Sequence, residues 1–97
     1  MSILVRFAPA SMTTEQYEQI KRAVSENGEF PPPGMELHVC FGPEGQRRVS
    51  EIWASREQFD AFGQRLMPEI ERAGVDPGTP EFHEVHSMVM GRMPAPA

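Results

Sequence analysis

The sequence has little of what several classes of protein require. It contains one cysteine in 97 residues, so no disulfide can form within the chain, which is typical of a reducing compartment. The net charge is −5, and the nearest approach to a basic patch is Arg47-Arg48. Because nucleic-acid binding depends on clustered lysine and arginine, we expect no nucleic-acid partner.

Long apolar runs are also missing. No stretch approaches the roughly 20 residues that cross a bilayer, and residues 1–10 lack the charged region and hydrophobic segment of a signal peptide. The sequence has no glycine-rich phosphate loop, no Ser-His-Asp pattern and no paired-carboxylate signature. We therefore expect a cytoplasmic protein without a membrane partner.

Ten prolines and eight glycines separate segments of clear periodicity. Apolar and polar residues alternate over 2–9, 35–42, 46–54 and 81–91, which predicts four strands. Two capping signals, Thr13 with Gln16 and Ser55 with Gln58, precede apolar residues at helical spacing and predict two helices. Pro68 lies inside the second helix and predicts a kink or a break near Met67.

The order of elements is strand, helix, strand, strand, helix, strand, which is the ferredoxin-like βαββαβ order. Right-handed crossovers then predict a four-stranded antiparallel α+β sheet in the order 4-1-3-2, with both helices on one face. Residues 1–91 form one domain in this interpretation, and 92–97 are a disordered C-terminal tail.

Both faces of the predicted sheet carry apolar residues, although the helices can cover only one. Leu4 and Ala8 lie opposite Ile3, Val5 and Phe7 in the alternation of the first strand. This pattern predicts a second covered face, and a second copy of the chain is the simplest cover. The alternative is a monomer with scattered apolar residues on its surface.

The segment VSEIWASREQF, residues 49–59, resembles a recurring segment of the dimeric α+β barrel superfamily, which includes antibiotic-biosynthesis and haem-degrading monooxygenases. The resemblance implies a homodimer whose sheets face each other, and a ligand cavity between sheet and helices lined by Trp53. In members that oxidise substrates, a histidine often follows this tryptophan by nine or ten residues. Here Phe62 and Gly63 stand at those positions, so the resemblance implies no haem, and we expect no cofactor.

Glu51 and Trp53 share one face of the third strand. A carboxylate beside an indole in a dry pocket suits a general acid or base near neutral pH, so Glu51 is the candidate catalytic residue. The alternative is a glutamate paired with a cation such as Arg6 or Arg47. Gly63 on the second helix either leaves room for a ligand or allows close packing on the sheet.

The position of His38 depends on the register of the hairpin between the second and third strands. If Phe41 pairs with Gln46, His38 joins the face of Glu51 and Trp53. If Gly42 pairs with Gln46, Val39 takes that place and His38 faces the partner; this register gives the cleaner apolar core, and we favour it. His38 and Cys40 share a face, but two ligands are too few for a metal site.

These observations predict a homodimer that binds a small apolar or aromatic molecule. Its cavity involves Trp53, Glu51, Phe7 and Phe62, with His38 as a further candidate. If the protein is an enzyme, its chemistry is monooxygenase-like or isomerase-like. The alternative is a non-catalytic accessory or regulatory dimer with a filled core. A cavity of about 300 Å³ or more that exposes Glu51 favours the binding function.

Overall fold

The structure, a computed structural model, describes residues 1–92. The elements are β1 (Ile3–Phe7), α1 (Thr14–Glu26), β2 (Met35–Phe41), β3 (Arg48–Trp53), α2 (Arg56–Arg72) and β4 (Glu81–Glu84). All neighbouring strands are antiparallel, and the order across the sheet is β2-β3-β1-β4. The predicted ferredoxin-like α+β fold and its strand order are confirmed.

Both helices begin at the predicted capping residues. The Thr13 hydroxyl accepts from the Gln16 backbone N–H at 3.0 Å, and the Thr13 N–H donates to the Gln16 side chain at 2.9 Å. The Ser55 hydroxyl accepts from the Gln58 N–H at 3.2 Å. These bonds satisfy N–H groups that have no partner within the helix.

The second helix continues through Pro68 to Arg72, so a break near Met67 is wrong, and a kink there stays a prediction. Proline removes one hydrogen bond from the helix interior. The apolar stripe nevertheless continues past it, because Phe62 before the proline and Ile70 after it are both buried in the core. Burial of these side chains outweighs the missing bond.

The last strand is shorter than predicted and ends at Glu84 rather than at residue 91. Its neighbour β1 begins at Ile3, which pairs with Glu84. Beyond that pair, one further bond joins the Val85 N–H to the Ser2 carbonyl at 3.0 Å. The last strand therefore ends at the point where its antiparallel partner β1 begins. Of the predicted tail, only Arg92 lies within the described residues, and it is exposed.

The core lies between the two helices and the face of the sheet that they cover. Val5 and Trp53 are fully buried at its centre. The other buried apolar residues of this cluster are Phe7, Met12, Ile20, Val24, Val49, Phe59, Phe62, Ile70 and Val75. Within residues 1–92, no helix has the length and apolar character needed to cross a membrane.

The hairpin between β2 and β3 has neither of the two predicted registers. His38 pairs with Glu51, and Phe41 pairs with Arg48. His38 therefore lies on the covered face, as in the first register, and our preference for the second was wrong. The loop is longer than expected because the Met12 backbone is bonded to both Gly45 and Arg47, at 3.0 Å each. Gln46 therefore forms an isolated parallel bridge with Met12 and does not pair with β2.

No helix of residues 1–92 covers the opposite side of the sheet, which we call the open face. The register places the alternate side chains of the four strands there. They include Leu4, Arg6, Leu37, Val39, Phe41, Ser50 and Ile52. Leu37 is 38% exposed and Val39 is 41% exposed. The apolar character predicted for this face is present, and the homodimer stays a prediction.

Candidate functional site

Four polar side chains on the covered face form one continuous series of hydrogen bonds, which we call the polar tetrad. The Tyr17 hydroxyl lies 2.7 Å from His38 Nε2. His38 Nδ1 lies 2.7 Å from Glu51 Oε2. The indole N–H of Trp53 donates to Glu51 Oε1 at 3.0 Å. The tetrad thus runs from α1 through β2 to β3.

The sheet fixes the inner part of the tetrad. Glu51 and Trp53 lie two residues apart on β3 and so point to the same face. His38 is the direct cross-strand partner of Glu51, and such pairs have side chains within contact distance. Tyr17 is supplied by the first turns of α1, whose start is fixed by the Thr13 cap. The pairing of β2 with β3 and the packing of the capped start of α1 on the sheet therefore bring the four side chains together.

With Glu51 ionised, its two hydrogen bonds assign one proton of His38. Glu51 is 3% exposed, and both of its carboxylate oxygens accept a bond. An ionised carboxylate only accepts, so His38 Nδ1 carries a proton. In the neutral imidazole, Nε2 then accepts from the Tyr17 hydroxyl. The predicted alternative, an ion pair of Glu51 with Arg6 or Arg47, does not occur among the described residues.

The Tyr17 phenol is held in its protonated form. Burial, together with the nearby Cys40, Glu18 and Glu51 groups, raises the pKa of Tyr17 to about 12. A phenol with this pKa keeps its proton at neutral pH. Towards the neutral His38 imidazole, whose Nδ1 carries the proton, this phenol is the hydrogen-bond donor.

A cavity of about 70 Å³ lies beside the tetrad. Tyr17, His38 and Glu51 contribute to its wall, and most of the remaining wall is apolar. The apolar part includes Phe7, Pro9, Met12, Ile20, Val24, Phe30, Val49, Phe62, Leu66, Ile70, Val75 and Pro77. Lys21 adds a cationic side chain to the same wall.

Four of the five predicted site residues, namely Phe7, His38, Glu51 and Phe62, line this cavity together. Trp53 does not line it: its side chain is fully buried, donates to Glu51 and packs against Phe62 with ring centroids 5.6 Å apart. Trp53 therefore holds the Glu51 carboxylate from the side away from the cavity. A role of these residues in binding or catalysis stays a prediction.

Tyr17 is the site residue that the sequence analysis missed. Its position at the start of α1 indicated an apolar contact, and nothing in the local pattern singled out its hydroxyl. The only signal was indirect, because the correct hairpin register places His38 under the first turns of α1. Within residues 1–92, no group of three or more metal-ligating side chains is assembled.

A second cavity of about 280 Å³ lies between α2 and residues 77–82. It shares Phe7, Leu66 and Pro77 with the first cavity, and Gly63 is part of its wall. No atom lies within 4 Å of the place that a Cβ of Gly63 would occupy. Close packing on the sheet is therefore not the reason for this glycine.

Comparison with known proteins gives matches in structure and none in sequence. No family model and no curated protein matches the chain. A Chloroflexus aurantiacus protein assigned as an antibiotic biosynthesis monooxygenase is 14% identical, with 94% of this chain and 100% of that one covered and a TM-score of 0.62. The fold is that of antibiotic biosynthesis monooxygenase-like proteins.

Two other solved structures have the same fold. SnoaB, a cofactor-independent oxygenase from Streptomyces nogalater, is 10% identical, with 91% of this chain and 94% of that chain covered and a TM-score of 0.61. MhuD, solved with two manganese protoporphyrin IX molecules bound per active site, is 20% identical. There the coverage is 94% of this chain and 100% of that chain, and the TM-score is 0.57.

A porphyrin does not fit the site described here. The cavity beside the tetrad has a volume of only about 70 Å³. Its one imidazole, that of His38, has both ring nitrogens in hydrogen bonds to Tyr17 and Glu51. Phe62 and Gly63, which follow Trp53 by nine and ten residues, offer no metal ligand.

Proposed function

We propose that this protein is a cytoplasmic homodimer that binds a small apolar or aromatic molecule and moves a proton with its His38–Glu51 pair. The chemistry is monooxygenase-like or isomerase-like and needs no bound cofactor. The observation that supports this function best is the polar tetrad at the wall of an otherwise apolar cavity.

The tetrad places four hydrogen-bonded polar side chains in a small, otherwise apolar core. Burying polar groups is unfavourable unless each is hydrogen-bonded. Apolar residues of similar size would fill the space without this cost in free energy. In a chain of 97 residues, whose core is small, such a network is a candidate functional site.

His38 is better placed than Glu51 to exchange a proton with a ligand. Both Glu51 oxygens are bonded to the inner tetrad members Trp53 and His38. His38 Nε2, in contrast, is bonded to Tyr17, which lines the cavity and is only half-buried. In the proposed step, Nε2 accepts a proton from an O–H or an acidic C–H of the ligand. The Glu51 carboxylate stabilises the imidazolium that forms. Proton removal is a first step that isomerisation and cofactor-independent oxygenation share.

The open face supports the homodimer. Leu37 and Val39 expose apolar side chains there, next to Ile52 and Leu4 on the central strands. A second copy that places the same face against this one would remove these side chains from water. The two covered faces, with their cavities, would then lie on the outside of the pair.

A second candidate is a non-catalytic dimer with a filled core, and the cavity volume favours it. About 70 Å³ is well below the roughly 300 Å³ typical of ligand sites. It is also below the roughly 150 Å³ of an engineered apolar cavity that holds benzene. A ligand would have to displace at least one wall side chain.

Calorimetric titration with p-cresol and 1-naphthol separates the two candidates. The proposed function predicts saturable binding of at least one of them, at least tenfold weaker in His38→Asn and in Glu51→Gln. His83→Asn is the matched control, because His83 is an exposed imidazole on β4 outside the cavity wall. Equal affinity in all four proteins contradicts the assignment of the site. Absence of binding to the wild type favours the filled core.

A further inference from the structure

We propose that Tyr17 blocks the base: its hydroxyl occupies His38 Nε2 in the free protein and must be replaced there by an O–H of the ligand. The site would therefore select phenols and enols, which can supply an O–H in its place. This inference rests on the proposed function and goes further by naming the class of ligand.

The base has no free nitrogen in the present arrangement. His38 Nδ1 is bonded to Glu51 and Nε2 to Tyr17, each at 2.7 Å. An imidazole whose acceptor nitrogen already receives a hydrogen bond cannot accept a proton from another molecule. Any reaction at Nε2 therefore begins with departure of the Tyr17 hydroxyl.

The exchange is favourable only for a ligand of matching chemistry. Tyr17 remains a neutral phenol, because burial raises its pKa to about 12. A ligand O–H that replaces it restores the same kind of bond to Nε2. A ligand without a hydroxyl leaves that partly buried nitrogen unsatisfied, which costs about 1–3 kcal/mol when water is kept out. Sites built to bind a hydroxyl discriminate against analogues that lack one.

Departure of Tyr17 also provides the missing space. The Tyr17 ring stacks on the His38 ring, with centroids 5.9 Å apart and planes inclined by 20°, and forms part of the cavity wall. Tyr17 is only half-buried, so it has a path to solvent at the surface of α1. One movement thus frees the base and enlarges a cavity of about 70 Å³ that is too small for a ring.

The experiment compares p-cresol with toluene, which differ by one hydroxyl, in the wild type and in Tyr17→Phe. In the wild type we expect p-cresol to bind about tenfold more tightly than toluene. In Tyr17→Phe the competing hydroxyl is gone, so both ligands should bind roughly 2–10-fold more tightly while the preference for p-cresol remains. Glu18→Gln, an exposed neighbour on α1, should leave both affinities unchanged.

A second measurement does not depend on the folding of a variant. Tyr17 is the only tyrosine, so incorporation of 3-fluorotyrosine gives one fluorine resonance. Saturation with p-cresol should move that resonance towards the position of a solvent-exposed fluorotyrosine. A purely structural tyrosine would keep its resonance.

The outcomes separate this inference from the function on which it rests. If neither ligand binds to the wild type or to Tyr17→Phe, both the proposed function and this inference are overturned. If p-cresol binds but the fluorine resonance stays in place, or if Tyr17→Phe weakens binding, only the role of Tyr17 is overturned. Loss of the preference for p-cresol in Tyr17→Phe also contradicts that role.

Discussion

The two faces of the sheet depart from the usual arrangement in opposite ways. The covered face buries Glu51 and partly buries His38 among apolar side chains, whereas the open face leaves Leu37 and Val39 exposed to water. In most small domains the buried face is apolar and the free face is polar. Exceptions to that pattern concentrate at functional sites. We interpret the first exception as a ligand site and the second as a dimer interface.

Replacing the buried carboxylate should have the largest effect on stability. Glu51→Leu leaves the Trp53 indole N–H and His38 Nδ1 without acceptors, and each unsatisfied donor costs about 1–3 kcal/mol. We expect the free energy of unfolding to fall by about 3 kcal/mol. Urea titration followed by fluorescence measures it, since Trp53 is the only tryptophan.

The control for this variant lies next to it on the same strand. Ser50 faces the open side, so at protein concentrations that keep the chain monomeric, Ser50→Leu should change the free energy of unfolding by less than about 0.5 kcal/mol. If both variants lose the same stability, the contrast between the two faces is not supported.

Charges on the open face should separate the protomers. Leu37→Glu combined with Val39→Glu places two like charges from each copy against each other, which costs several kcal/mol. We expect the dissociation constant of the dimer to rise at least roughly 100-fold in sedimentation velocity. The folded state should persist in circular dichroism, because both positions are exposed in the isolated chain.

The matched control adds the same two charges to the helix layer. Gln19 on α1 and Gln64 on α2 are exposed, and their replacement by glutamate should leave the dimer intact. A wild type that sediments as a monomer at micromolar concentration contradicts the interface itself.

A smaller effect is expected at alkaline pH. The pKa of Tyr17 is raised from its ordinary value of 10 to about 12. Because the folded-state pKa is the higher one, its contribution to stability is complete below pH 10 and is lost as the pH rises through 12. Unfolding of the wild type should therefore become easier over this interval relative to Tyr17→Phe.

The same titration can be observed directly. The ultraviolet absorbance of the phenolate reports on Tyr17 alone, because the chain has no other tyrosine. An ordinary pKa near 10 in the folded protein would show that the Tyr17 phenol is not buried there.

The smallest effect concerns the helix that covers the sheet. Gly63 lies in α2, and a Cβ added there would meet no atom within 4 Å, so Gly63→Ala gains helix propensity without a clash. We expect stability to rise by about 0.5–1 kcal/mol in urea titration. Gly74→Ala should instead lower stability, because Gly74 has a φ of +75°. An equal response at both positions would contradict this account.

Features encoded by neighbouring residues could be predicted from the sequence. The capping residues Thr13 and Ser55 and the alternation of the strands led to the correct element order and sheet topology. Glu51 and Trp53 could be placed together because strand geometry alone relates residues two positions apart.

Features that depend on contacts between distant residues could not be predicted from the sequence. The hairpin register depends on bonds from Met12 to Gly45 and Arg47, more than 30 positions along the chain. Because the sequence does not reveal these bonds, our favoured register assigned His38 to the wrong face. The hydrogen bond between His38 and Tyr17 could then not be predicted either. The end of β4 is likewise set by where β1 begins, not by its own alternation.

The bonds of Met12 also have a consequence for how this sequence can vary. Residue 12 directly precedes the cap of α1 and is joined to the loop between β2 and β3, with a further bond from the Thr14 N–H to Glu44 at 3.0 Å. An insertion in that loop would shift His38 and the start of α1 relative to each other. Related sequences that keep the tyrosine and the histidine should therefore change residues 9–14 and 42–47 together, as one inherited unit.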